Sequence, residues 1–193
     1  MGVDPGLTRC GVGIVDGQIG TRPHFVAVGV VRTSPQLAHP QRLLAIEQGL
    51  TEWFDSYQPD VVSIEQVFAQ HNLPTVTGVA QVAGIAMLIG ARAGKTVALH
   101  TPSEVKAALT GSGQADKAQV GAMVARVLGL QAAPSPADAA DALAQAITHL
   151  WRGGVQNRYA AAAAKKRPTT SWNQYLKKAP ARSGTRVTGR SAS

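Results

Sequence analysis

A single cysteine, Cys10, among 193 residues excludes an intrachain disulfide and suits a reducing compartment. Flanked by Gly11 in an apolar stretch, it reads as core filler rather than a nucleophile. Long hydrophobic runs are missing. The longest, Val82 to Ala91, falls far short of the roughly 20 residues of a membrane span, so no membrane partner is expected. Asp4 and Arg9 interrupt the first residues before any apolar region develops, which argues against a signal peptide, and the cytoplasm is the expected location. Acidic residues are scarce at 11, and none follows Asp141. Residues 1–151 hold 9 Lys plus Arg against those 11 acids, whereas 152–193 hold 10 basic residues and no acid. The net charge of +8 therefore comes entirely from the tail.

With acids so few, their positions carry information. Asp4 ends the apolar start Met1-Gly2-Val3, and Glu65 ends Val61-Val62-Ser63-Ile64. Asp138 and Asp141 interrupt an Ala-rich run from Pro136 to Ala144. An ionised carboxylate withdrawn from water costs several kcal/mol, by order of magnitude, unless it is paired or binds a metal. The neighbouring sequence offers few Lys or Arg partners, so a hard divalent cation with oxygen ligands is the economical expectation. Taken singly, Asp138 reads as a helix cap or first-turn dipole partner and Asp4 as a turn residue before Pro5-Gly6. That plainer reading explains neither Glu65 after a buried strand nor Asp141 in mid-helix. Among the five His, none stands at ligand spacing from another along the chain.

Periodicity predicts strands over 1–4, 10–16 and 24–31, a helix over 40–57 and a buried strand over 61–65. A small-residue helix over about 75–93, a strand over 96–99 and helices from 101, over 115–128 and up to about Leu150 complete the pattern. Thr101-Pro102-Ser103-Glu104 has the form of a helix start. This order predicts an α/β domain with a mixed sheet over 1–152. Residues 153–193, rich in Ala, Ser, Gly and basic residues, are expected to be a mostly disordered tail, with a short helix conceivable near 159–166.

Asp4-Pro5-Gly6, Ile64-Glu65-Gln66-Val67-Phe68 and the Asp138-to-Ala144 segment resemble, in order and spacing, the RuvC Holliday-junction resolvases. Gly78, Gln81, Gly84, Lys106 and Lys117 add to the likeness, which covers about residues 1–151. The resemblance implies a ribonuclease H-like fold with a five-stranded sheet flanked by helices, a homodimer, and cooperation with the RuvA–RuvB branch-migration machinery. It also implies cleavage of four-way junction DNA with two Mg²⁺ ions, for which Mn²⁺ would substitute. Asp4, Glu65, Asp138 and Asp141 would be the metal-binding catalytic acids. Two cations about 4 Å apart would then bridge the scissile phosphate, leaving 5′-phosphate and 3′-hydroxyl ends. Lys106 and Lys117, otherwise two solvated lysines, would contact phosphates. Phe68, otherwise a core residue, would stack on bases at the crossover. Gln66 would support the acids or touch DNA. The tail, with Tyr159, Trp172 and Tyr175 among its charges, is expected to bind DNA weakly and without sequence preference, or to dock a partner. Two rivals stand beside this reading: an actin-like ATPase, for which 193 residues are too few, and a non-catalytic junction binder, which would have no use for four acids.

Overall fold

The computed structural model describes residues 1–66 and 73–164. Its main unit, Met1–Asn157, is built on one five-stranded sheet. The strands are β1 (Gly2–Asp4), β2 (Arg9–Asp16), β3 (His24–Arg32), β4 (Val61–Glu65) and β5 (Thr96–His100). Helix α1 (His39–Tyr57) precedes β4, and α2 (Leu73–Arg92) joins β4 to β5. Helices α3 (Pro102–Thr110), α4 (Lys117–Leu128) and α5 (Ala137–Ala164) follow. Strand order is β3-β2-β1-β4-β5, with the first three antiparallel and the last two pairings parallel, so the expected mixed sheet is present.

Side-chain alternation decides which helix covers which face. Val3, Cys10, Val12, Ile14, Val62 and Ile64 point to one face and bury against Ile46, Leu50 and Phe54 of α1 and Val82, Ala86 and Ile89 of α2. Gly2, Gly11 and Gly13 point to the other face, where α5 lies. A Cβ on Gly2 would sit 2.0 Å from the Ala142 carbonyl oxygen, and one on Gly11 would sit 2.0 Å from that of Asp138. The missing side chains let α5 rest directly on the β1–β2 backbone. Ser63 shares this face and donates from Oγ to the Gln145 carbonyl at 3.1 Å. Outside α5, the helices α3 and α4 close a second core around Val105, Leu109, Val124, Leu143 and Ile147.

The helix start at Thr101 is a full capping box: Glu104 N–H donates to Thr101 Oγ1 at 3.2 Å and Thr101 N–H to Glu104 Oε2 at 2.7 Å. Asp116 and Gln119 make a second box, which begins α4 at Lys117 rather than at Ala115. The larger departure is α5, expected to stop near Leu150 but continuous to Ala164. Gly153 and Gly154 cost helix propensity of about 1 kcal/mol each without forbidding the helix, and the alanines that follow are the best helix formers. Gly153 also has a steric reason to lack a side chain, since its Cβ would meet the His149 ring at 2.7 Å. The expected disorder of the tail falls, from residue 165 on, outside the described residues.

Gly11→Ala should lower the free energy of unfolding by about 3 kcal/mol, because a methyl group there must push the α5 backbone off the sheet. Chemical denaturation measures this; a loss under about 0.5 kcal/mol would show that α5 has room to move.

Candidate active site

Parity along the strands places the first two acids. Gly2 and Ser63 are partners in the parallel β1–β4 pairing, as are Val3 and Ile64, so the next step along both strands is Asp4 and Glu65. Each lies two residues beyond a position that faces α5, Gly2 or Ser63, and therefore faces α5 itself. On α5, Asp138 and Asp141 are three residues apart and share one helical face. The glycine-lined seat of the helix brings that face over the ends of β1 and β4. Asp4, Glu65 and Asp141 line one hollow of about 280 Å³, together with Lys106 and Lys117. Asp138 opens instead into an adjoining groove beside Arg9 and Arg42.

The electrostatics of this arrangement are unfavourable to ionised acids. Burial, then the charges of Glu65, Asp141 and Asp138, push the Asp4 carboxyl up to about 8, which Lys117 offsets only in part. Glu65 is raised as well, by burial first and by Asp141 second. The two helix acids have found cations that the local sequence did not advertise. Arg9, on β2, places Nε 2.9 Å from Asp138 Oδ2. Lys117 donates from Nζ to Asp141 Oδ2 at 2.9 Å and is raised in pKa by that bond. Four acids without basic partners is therefore the expectation that fails: both partners come from elements far away in sequence. Lys117 also occupies the first turn of α4, where the helix dipole disfavours a cation; the bond to Asp141 offsets this.

Among the described residues, no three His, Cys, Asp or Glu side chains are gathered tightly enough to hold a metal ion. The acids that would close such a set, Asp138 and Asp141, are turned toward Arg9 and Lys117. The donor chemistry nevertheless suits a hard divalent cation, being all carboxylate oxygen. Asp138 Oδ2 is buried and, although ion-paired with Arg9 Nε at 2.9 Å, makes no aligned hydrogen bond, so it keeps lone pairs that could ligate a cation.

The remaining expected site residues are placed unequally. Lys106 and Lys117 both reach the hollow. Gln66 directly follows β4 and donates its backbone N–H to the His100 carbonyl at 2.8 Å; its side chain does not line the hollow. Phe68 lies outside the described residues. Sequence spacing missed Arg9 altogether, and it missed the meeting of His100 with His149. Those two rings approach at 3.4 Å between Nε2 and Nδ1 beneath the sheet face. Burial and then His149 lower the His100 pKa to about 4, and burial lowers that of His149. Only a register known in advance could have signalled contacts 49 residues apart. Cys10 is buried, and its thiol is pushed up to about 12, in keeping with core filler.

Residues 1–149 match the family of the crossover junction endodeoxyribonuclease RuvC. The Cutibacterium acnes protein of that name is 65% identical over 167 residues, covering 86% of this chain and 85% of the relative. Its Thermobifida fusca counterpart is 60% identical over 165 residues, covering 86% and 91%. The solved structure of Thermus thermophilus RuvC in complex with Holliday junction substrate superposes with a TM-score of 0.75 at 34% identity, covering 80% of this chain and 94% of that one. The ribonuclease H-like architecture expected from the motifs is the one observed.

The raised Asp4 pKa has a signed consequence for stability. A carboxyl whose folded pKa lies above its unfolded value binds more protons when folded, so stability falls as pH rises from about 3.8 to about 8. The lowered His100 pKa acts oppositely: its contribution is full above the ordinary value of 6.5 and is lost as pH falls toward 4. Between pH 6.5 and 8 the buried Met1 amino group, lowered from 8.0 to about 6, adds stability as pH rises and opposes Asp4, so the difference between wild type and Asp4→Asn isolates the acid. In chelator, the wild type should lose about 2 kcal/mol more than Asp4→Asn across that window, read by denaturation at each pH. Parallel curves would refute the burial of charge at Asp4. The chain belongs to the RuvC family of crossover junction endodeoxyribonucleases.

Proposed function

We propose that this chain resolves four-way DNA junctions by nicking two opposed strands symmetrically, with Asp4, Glu65, Asp138 and Asp141 as its catalytic acids. The observation that carries the assignment of the site is the convergence of Asp4, Glu65 and Asp141 on one hollow with Lys106 and Lys117. That set joins acids able to hold divalent cations to amines able to hold phosphate. Family membership supports the reaction, and the junction-bound relative supports the substrate.

In this reading the acids hold Mg²⁺, two ions per site, with Mn²⁺ able to substitute. Bound by these acids, such ions would supply a hydroxide-like nucleophile at neutral pH and offset charge on the scissile phosphate. The protein's own part can be followed residue by residue. Asp4 gives up its proton as the site is loaded, because the ordinary carboxylate form is restored once the surrounding negative charge is balanced. Asp141 turns from Lys117, and Asp138 from Arg9. The freed Lys117 ammonium, at the mouth of the hollow, then pairs with a non-bridging phosphate oxygen beside the bond to be cut. Lys106 holds a neighbouring phosphate. The products carry 5′-phosphate and 3′-hydroxyl ends, which a ligase can rejoin. Phe68 stacks on an unpaired base at the crossover, and Gln66 supports Glu65 from the next position along the chain. These two roles rest on the resemblance alone.

Paired cutting of a substrate with approximate two-fold symmetry calls for a two-fold enzyme, so a homodimer belongs to the proposal. Helix α2 supports it: Gly84 has open space beside it, and Leu88, one turn on, is exposed on the same face. Cooperation with RuvA–RuvB is proposed from the family alone. The body over 1–152 carries the chemistry and the basic residues 153–193 add weak backbone binding. No helix among the described residues is long and apolar enough to cross a membrane.

A labelled synthetic four-way junction with Mg²⁺ tests the whole reading. Wild type should give paired nicks at symmetric positions, and Asp4→Asn should bind the junction while cutting at least about 10³-fold more slowly, the scale expected when a transition-state charge stabiliser is lost. Equal cutting by both would remove Asp4 from the chemistry, and unpaired single nicks would remove the dimer. Deleting 153–193 should weaken binding at low salt and leave the cleavage step intact; unchanged low-salt affinity would separate the tail from DNA.

A further inference from the structure

Beside the hollow, on the far side of Asp138, lies a groove of about 360 Å³ that the catalytic reading does not use. Its floor is the β1–β2 turn, Gly6, Leu7 and Thr8, its wall is Gly78 and Val79 of α2, and its rim carries Arg9 and Arg42. Arg42 is held with unusual care for a half-exposed arginine. Its Nε donates to Thr33 Oγ1 at 3.0 Å and its Nη2 to Thr8 Oγ1 at 2.6 Å, while Thr33 Oγ1 in turn donates to the Leu7 carbonyl at 2.5 Å. Two segments, the β1–β2 turn and the residue that follows β3, thus fix one guanidinium. Yet no carboxylate among the described residues lies within ion-pair distance of it, and Nη1 makes no hydrogen bond there. A permanently charged, planar fork fixed by neutral hydroxyls and left without a counter-ion is suited to an external anion with paired oxygens. Its fixation in the free protein reduces the side-chain freedom lost on binding.

Resting on the reading of the chain as a junction nuclease, we propose that Arg42 and Arg9 form a second backbone-phosphate site. It would hold the cut strand one step beyond the scissile phosphate. Asp138, on the groove, and Asp141, on the hollow, are three residues apart on α5, about 4.5 Å along its axis, so the two cavities lie within one nucleotide step of each other along that helix. Glycine at 6 and 78 lets the turn close on itself and α2 rest on it: a Cβ on Gly6 would meet the Arg9 carbonyl oxygen at 2.2 Å, and one on Gly78 would meet Leu7 Cδ2 at 3.3 Å. Arg9 has a double role in this scheme. In the free protein it faces Asp138 at 2.9 Å with half of its side chain exposed. With DNA bound it transfers to the phosphate, which leaves Asp138 to the catalytic set. The strand is thereby anchored by fixed cations on the far side of the acids from Lys106 and Lys117.

The salt dependence of binding distinguishes a phosphate contact from a structural clasp. In an Asp4→Asn background, affinity for a linear duplex and for a four-way junction is measured across salt concentrations. Arg42→Gln should reduce the slope of log affinity against log salt by about 0.9 on both DNAs and weaken low-salt binding about tenfold. Arg42→Lys, which keeps the charge, should retain the slope. Arg9→Gln made together with Asp138→Asn leaves the net charge unchanged and should lower the slope by a similar amount. An unchanged slope with Arg42→Gln overturns the proposal. So does an equal fall of slope and melting temperature with both Arg42 variants, since that marks a clasp for the β1–β2 turn. Reading the slope on plain duplex keeps the outcomes separate. A chain that bound duplex through Arg42 but did not discriminate a junction would sink the junction reading and leave this inference standing.

Discussion

Everything in this molecule is arranged around the cost of holding negative charge at the ends of β1 and β4. Asp4 is nearly enclosed, and three other carboxylates act on it, so its proton stays to about pH 8 in the free protein. A fold selected for stability alone would have no reason to create such a point. The architecture instead enforces it. Parallel pairing sets Asp4 beside Glu65, and a glycine-lined seat draws α5 close enough to add two more acids. The stability given up there is recovered in two hydrophobic layers on opposite faces of the sheet.

The cations nearby modulate this charge and do not cancel it. Arg9 and Lys117 each hold one helix acid, and both come from outside α5. Both pairs join an exposed cation to a half-buried acid, and solvent screening at the cation keeps their contributions to stability small, on the order of 1 kcal/mol. They are well suited to being exchanged when a metal or a phosphate arrives. The acids and their temporary partners therefore constitute one device: carboxylates kept apart from each other in the free state, with basic groups already at the rim to receive DNA. This also answers how a body with 11 acids and 9 basic residues over 1–151 can approach a polyanion. Four of those nine bases, Arg9, Arg42, Lys106 and Lys117, line the hollow or the groove beside Asp138.

Much of this was legible in the sequence because it rests on local rules. Alternation marked β1, β2 and β4, the Thr101 box announced α3, and the four acids stood out as charges beside apolar runs. What the sequence withheld depends on contacts made at long range. Arg9 reads as an ordinary strand-start cation until α5 is laid over β2. His100 and His149 have no spacing signal, since their meeting requires both the β4–β5 register and the phase of α5. The continuation of α5 past Gly153-Gly154 was hidden for another reason: two glycines carry a strong local prior for an ending, which the surrounding helix overrides. Nothing in the local sequence of α1 marks Arg42, and only its threonine partners distinguish it.

The most direct test of the central claim is the titration of the Asp4 carboxyl itself, followed by carbon NMR of protein labelled at aspartate side chains and assigned with Asp4→Asn. Without metal, one carboxyl should titrate near 8, far above the ordinary carboxylate range. Saturating Mg²⁺ should move that midpoint down by several units, because the proton and the cation compete for the same oxygens. An Asp4 carboxyl that titrates near 4 in the metal-free protein, or one indifferent to Mg²⁺, would contradict the account.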